Sequence, residues 1–298
     1  NNTSIGLAAS GTGNIASFAA VNAGTNPVTA TITVTPSYNN AGTTCTGAST
    51  TFTITVNPTA TVNAVASQVL CNGSSTAAIN FGSPATGGTV TFNWTNSAAS
   101  IGIAASGTGN IPTFIASNAT TTPVVATITV TPIFTNGAVS CVGTPTTFTI
   151  TVNPTATVNA IPNQVLCNGA STTAIVFTSP NSGNGGSNVV FNWVNNTPSI
   201  GLAASGTGNI GSFTAINTSN APVTATVTVT PVYTNAGVTC TGTLLTFTIT
   251  VNPTATVNAV ASQTLCNGAA TSAINFSSPN SGGSIVYNWV NNTPSIGL

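Results

Sequence analysis

The fourteen residues TFTITVNPTATVNA occur three times, beginning at Thr51, Thr147 and Thr246, so at spacings of 96 and 99 residues. ASGTGNI recurs from Ala9, Ala105 and Ala204 at the same spacings, and Trp94, Trp193 and Trp289 follow at 99 and 96. A fixed period of this length means one structural unit used repeatedly, and no single core can span all 298 residues. The extra three residues fall ahead of Trp193, in the Gly-rich stretch 181–188 (NSGNGGSN), as an exposed loop tip would tolerate. Leu7, Ile103, Leu202 and Leu298 are equivalent, so the sequence starts and stops at one mid-repeat position. The expectation is a window on a longer repetitive polypeptide; the other reading is a subunit whose half-domain is completed by its neighbour's.

Each period is written in strand residues. Phe52, Ile54 and Val56 alternate with Thr51, Thr53 and Thr55. Val90, Phe92 and Trp94 oppose Thr91 and Asn93, and Ala30, Ile32 and Val34 alternate with threonine over 29–35. Period two with one apolar face predicts antiparallel strands half-buried in a sandwich. Asn72-Gly73, Asn136-Gly137 and Asn168-Gly169 supply turns between them. The apolar residues are mainly Val, Ile, Ala and Phe, with no Met and almost none of the strong polar helix formers, so the fold class is all-β. Pro58, Pro154 and Pro253 interrupt the ladder and mark boundaries. The division expected is a C-terminal part of a β-sandwich repeat at 1–57, complete repeats at 58–153 and 154–252, and an N-terminal part at 253–298. Each whole repeat has the size of an immunoglobulin-like sandwich, about 100 residues. Trp94, Trp193 and Trp289 are expected as central core residues of their repeats.

Charge narrows the function classes sharply. The chain has no Lys, Arg, Asp, Glu or His. General acid–base catalysis needs a group that exchanges protons near working pH, and a serine or cysteine nucleophile needs a base to activate it. No enzyme and no catalytic or cofactor-binding residues are therefore expected. Phosphate, nucleic-acid and anionic-membrane contacts rest on Lys and Arg, so neither nucleic acid nor membrane is an expected partner. No apolar run reaches the ~20 residues of a membrane helix, and no basic segment ahead of an apolar core marks a signal peptide. Metal binding is not expected either: calcium prefers carboxylates and zinc closely spaced Cys or His. Two other motifs reduce to structure. SGTGN at Ser10, Ser106 and Ser205 lacks the lysine and following helix of a phosphate loop, and is read as a turn or bulge. The sequons at Asn93, Asn118, Asn195, Asn217 and Asn275 are frequent by composition alone.

The order of elements in one period is ATVNA, LCNG, a short strand, FNW (YNW in the last), ATITVTP, then a Cys-x-Gly and TFTITVNP. This resembles the PKD-like or immunoglobulin-like modules repeated in very large secreted surface proteins of Bacteroidota, gliding-type adhesins among them. The resemblance implies export to the cell surface and an elongated adhesin or filament. The strand-to-strand disulfide beside the Trp in eukaryotic domains of this fold has no counterpart here.

Six cysteines fall two per period: Cys45, Cys141 and Cys240 ahead of the last strand, and Cys71, Cys167 and Cys266 early in the repeat. An even count in an exported repeat predicts disulfides. Pairing within a repeat gives Cys71–Cys141 and Cys167–Cys240. A link between neighbouring repeats, Cys71 to Cys240 or Cys141 to Cys167, is the rival, because the first turn and the final hairpin of such a sandwich lie at opposite poles.

An uncharged surface removes the lysines that normally keep edge strands apart. That is a liability in a free monomer and useful in material built to associate. The function expected is a structural, non-enzymatic repeat region of a secreted cell-surface filament or adhesin, self-associating or packing against repeats of its own kind. The alternative is a module that recognises glycan, a surface or ice through Thr/Asn-rich faces.

Overall fold

A computed structural model describes residues 3–181 and 189–296, so the three-residue insertion expected within 181–188 lies, apart from Asn181, outside the described residues. The chain divides into two compact units, Asn1–Pro154 and Thr155–Leu298. In the first, strands run β1 (Val28–Val34), β2 (Ser37–Asn40), β3 (Thr43–Thr46), β4 (Thr50–Val56), β5 (Gln68–Cys71), β6 (Thr89–Asn96), β7 (Ser106–Thr108), β8 (Val124–Asn136), β9 (Val139–Val142) and β10 (Thr146–Asn153). The second has β11 (Gln164–Cys167), β12 (Val189–Asn195), β13 (Ser205–Thr207), β14 (Val223–Asn235), β15 (Val238–Thr241) and β16 (Leu245–Asn252). The helical turns among the described residues are short 3₁₀ segments such as Ala99–Ile101.

The main sheet of the first unit has the order β5-β10-β8-β6-β7, with β9 folded back on the far end of β8. The second unit repeats it as β11-β16-β14-β12-β13, with β15 on β14. The pairs are antiparallel except β5 on β10 and β11 on β16, which run parallel. Facing each sheet is a layer of less regular chain, held by bridges Ser75↔Ile115 and Ile79↔Ile111, and Ser171↔Thr214 and Ile175↔Ile210.

Alternation decides what fills the space between the layers. Phe148, Ile150 and Val152 of β10 and Ile128 and Val130 of β8 are buried against Trp94, Ile79 and Ile111. Phe247, Ile249 and Val251 meet Trp193, Ile175 and Ile210 in the same way. Their threonine neighbours face outward, where some join hydroxyls across strands, as Thr224 and Thr250 do at 2.9 Å.

A proline inside a central strand normally removes a ladder bond. Pro132 sits in β8 at the gap where β10 has left, its last partner being Val130, and β9 has not begun, its first partner being Ile133. Its carbonyl still accepts from the Gly143 amide at 2.8 Å. Pro231 occupies the same gap in β14 and accepts from Gly242 at 2.8 Å. Each strand therefore runs through its proline.

The segments 1–57 and 253–298 are built differently. In the first, β1 and β2 are two strands, parted at Pro36 where β8 runs unbroken, and β4 has only β1 beside it. Over 253–296 no strand forms among the described residues, although the side-chain contacts of the repeat persist, such as Phe276 on Tyr287 at 5.6 Å.

Candidate functional site

Equivalent residues of the period differ sharply in burial along the chain. Trp94 and Trp193 are 8% and 7% exposed, whereas Trp289 is 62% exposed, with Val286 and Val290 more open still. Trp289 thus departs from the core position expected of it, because no strand forms beside it among the described residues. A second exposed core position lies in residues 1–57. Phe148 and Phe247 are buried, while Phe52, which repeats them, is 45% exposed.

A glycine reports the same difference. In β7, Gly107 lies opposite Trp94, and a Cβ there would sit 2.2 Å from the indole ring; Gly206 and Trp193 repeat this, again at 2.2 Å. SGTGN is therefore a short edge strand whose glycine admits the Trp, followed by a turn at Gly109 or Gly208, both at positive φ. Trp193 Nε1 donates to the Gly208 carbonyl at 3.1 Å. Gly11 holds the same place in 1–57, and a Cβ there meets nothing within 4 Å. Gly11 thus lies in open space, and the Trp289 indole is uncovered.

The cysteines also sort by position. Cys71 and Cys240 are disulfide-bonded. Cys45, Cys141, Cys167 and Cys266 are free thiols. The pairing expected within a repeat, Cys71–Cys141 and Cys167–Cys240, is thus not the arrangement found, since Cys141 and Cys167 are unbonded. The reason is distance. Cys71 lies beside Asn153 next to the start of β8, whereas Cys141 lies beside Phe134 near its end. Val152 pairs with Val124, so about ten residues of strand, ~33 Å, separate them, and a disulfide needs Cα atoms within about 7 Å.

Several asparagines carry structure that composition alone does not reveal. Asn118 is buried; its Nδ2 donates to the carbonyls of Thr122 and Val152 at 2.8 and 2.7 Å, and its Oδ1 accepts from the Thr120 amide and hydroxyl. Asn217 repeats this with Ala221, Val251 and Ser219, and Asn22 donates to Asn26 and Val56. Asn195 is buried too, its amide bound to Leu202. The sequons at Asn118, Asn195 and Asn217 are therefore internal brackets, while Asn93 and Asn275 are exposed. The signal lay in the period: Asn22, Asn118 and Asn217 are spaced 96 and 99.

The remaining chemistry is sparse. Burial pushes the Tyr233 phenol above its ordinary value of 10.0. Among the described residues no three His, Cys, Asp or Glu gather as metal ligands, and no helix is long and apolar enough to cross a membrane. Shallow hollows beside Pro253 and Ile285 are lined by Asn, Ser, Gly and aliphatic groups, with nothing that activates a nucleophile.

No known protein family and no curated protein matches the sequence. Among solved structures, the chain is similar to human protocadherin-24 EC1-2, at 13% identity over 66% of this chain and 99% of that one, with a TM-score of 0.35. Mouse cadherin-23 EC22-24 gives 11% identity, 75% and 74% coverage, and a TM-score of 0.36. The N-terminal four Ig domains of Dscam1 isoform 4.4 give 9%, 71%, 51% and 0.29. The strand order and the two-layer cores make this chain an all-β protein of immunoglobulin-like sandwich repeats.

Proposed function

We propose that this chain is a non-enzymatic structural repeat region of a secreted cell-surface filament or adhesin, and that its partner is more of the same repeat. In this reading 58–153 and 154–252 are whole modules, and 1–57 and 253–298 are the later and earlier parts of another. The observation that carries it is the recurrence of one sandwich unit at 96 and 99 residues in a chain without Lys, Arg, Asp, Glu or His. Exposed Trp289, Phe276 and Phe52 offer apolar surface to such a partner. Each is worth roughly 1.5–3 kcal/mol when fully covered. Half-cystines at Cys71 and Cys240 favour an oxidising compartment outside the cytosol. The resemblance to PKD-like surface modules of Bacteroidota agrees with export. The uncharged surface supports assembly that is nearly indifferent to salt.

Sedimentation velocity and negative-stain imaging of the 298-residue chain over a concentration series test the proposal. Linear polymers that lengthen with concentration are expected, with Trp289 emission moving to shorter wavelength in a W94F/W193F background. A single monomeric boundary at every concentration would overturn it.

A further inference from the structure

Five Asn-Gly pairs occur in the sequence. Asn184-Gly185 lies outside the described residues, and Asn267-Gly268 in a segment where no strand forms. The other three, Asn72-Gly73, Asn136-Gly137 and Asn168-Gly169, sit in turns beside the main sheets. Glycine has no Cβ to shield its amide nitrogen, so at such a pair the asparagine carboxamide and the next backbone nitrogen react most readily. Exposure does not separate the three, since Gly73, Gly137 and Gly169 are all exposed. Hydrogen bonding does. The Gly73 amide donates to the Ala116 carbonyl at 2.7 Å, and Asn72 Oδ1 accepts from the Asn118 amide at 2.8 Å. Asn168-Gly169 repeats both bonds, to Ala215 and from Asn217, each at 2.8 Å, and Asn168 Nδ2 also donates to Thr254. In these two pairs the attacking nitrogen holds its proton in a bond and the carboxamide is fixed on a different backbone amide. Asn136-Gly137 is built otherwise. Asn136 pairs with Val139, so Gly137 and Ala138 form the two-residue loop between β8 and β9, and the Gly137 amide stands outside the ladder. The Asn136 carboxamide is held through its nitrogen, which donates to Asn57 Oδ1 at 2.9 Å. The equivalent hairpins lack the pair, with Asn235 followed by Ala236 and Asn40 by Ala41.

We propose that Asn136 is a self-modifying site, where the folded chain converts its own carboxamide to a carboxylate. The Gly137 nitrogen gives its proton to solvent hydroxide and bonds to Asn136 Cγ. The Cγ–Nδ2 bond breaks, and the nitrogen leaves as ammonia after taking a proton from water. A second water then opens the five-membered imide at either carbonyl, leaving an α-linked or a β-linked aspartyl residue. Nothing is oxidised or reduced, and water is the one co-reactant. The step asks for no side-chain base, which suits a chain without Lys, Asp, Glu or His. Its product is a side-chain carboxylate where the sequence encodes none. A carboxylate accepts and does not donate, so the bond to Asn57 Oδ1 is lost. The β-linked product also lengthens the backbone of the β8–β9 loop by a methylene. An uncharged chain thus acquires negative charge with age, at one address in the first unit.

The test is to hold the full chain in mildly alkaline buffer for several weeks, digest with pepsin at acid pH, and follow the amide-to-acid mass change at each site. Labelling with an isoaspartyl methyltransferase reads the β-linked product. In the folded chain Asn136 should convert at least about tenfold faster than Asn72 and Asn168, whose bonds must first open locally. In urea the three sites should convert at closely similar rates. The G137A/A138G variant takes the loop order of the second unit, where Ala236 holds φ 48° against 57° for Gly137. It should keep the wild-type circular dichroism and slow conversion at Asn136 by about tenfold. Conversion of Asn72 or Asn168 as fast as Asn136 in the folded chain would overturn the proposal. So would an Asn136 that stays an amide while the urea-unfolded chain converts.

Discussion

Residues 154–202 and 253–298 have nearly the same sequence and end in different states. In the first, Trp193 is sealed at 7% exposure under β13 and β14; in the second, Trp289 stands 62% exposed and no strand forms among the described residues. The sequence around both Trp residues alternates alike, so alternation alone does not make the strand. A strand needs a neighbour to pair with and a layer to cover it; for β12 the neighbours are β13 and β14, with Trp193 opposite Gly206 and Val229. The contrast teaches that the folding unit here is the whole repeat, because a sheet edge and half a core are each marginal alone.

Substitutions that act on whole and partial repeats unequally break or sharpen this comparison. The largest contrast is at Trp: W193A should cost about 3–5 kcal/mol in thermal or denaturant unfolding, and W289A below about 0.5 kcal/mol in the unassembled chain. Next, G206V drives a side chain into the Trp193 ring and should cost about 3 kcal/mol or more by forcing the core apart. N217A removes the amide donor to the Val251 and Ala221 carbonyls and should cost about 2 kcal/mol; N275A, at an exposed sequon, should change nothing measurable. A smaller effect of opposite sign is expected at Ala236, which occupies φ 48° in the β14–β15 turn ahead of Gly237. A236N creates the Asn-Gly pair such turns favour and should stabilise by about 0.5–1 kcal/mol.

The pH response should be the flattest of all. No side-chain carboxylate or imidazole exists to titrate between pH 4 and 7, so unfolding midpoints there should coincide. Tyr233 is neutral when protonated, and its folded pKa is raised. The stability linked to it is therefore fully present below the unfolded value of 10.0 and is lost as pH rises from there through the folded one. A drop in midpoint between pH 4 and 7 would contradict this.

Much of the fold is legible from residues. The Phe148–Ile150–Val152 alternation marks β10, and Pro154 falls where β10 stops and the two units divide. The second layer is not legible, because Ser75–Ile79 and Ile111–Ile115 touch through isolated bridges and carry no sustained period. Pro132 conceals the second half of β8, since its tolerance depends on where β9 and β10 end, a fact of tertiary register. The glycine of SGT hides as a turn residue because its reason, the Trp94 ring pressing on it, lies on another strand. The failure of the Cys71–Cys141 pairing is not legible from spacing, because it depends on the register that sets the two cysteines about ten strand residues apart.

The most direct measurement places a side chain at Gly11. Gly11 has open space around it and holds the place of Gly107 and Gly206, which lie against Trp94 and Trp193, so on the proposed reading it belongs to a surface that a neighbouring repeat covers. The G11V variant should match the wild-type chain in circular dichroism and thermal midpoint as a dilute monomer, yet fail to form polymers in sedimentation velocity. Polymerisation of G11V at the wild-type concentration dependence would contradict the account.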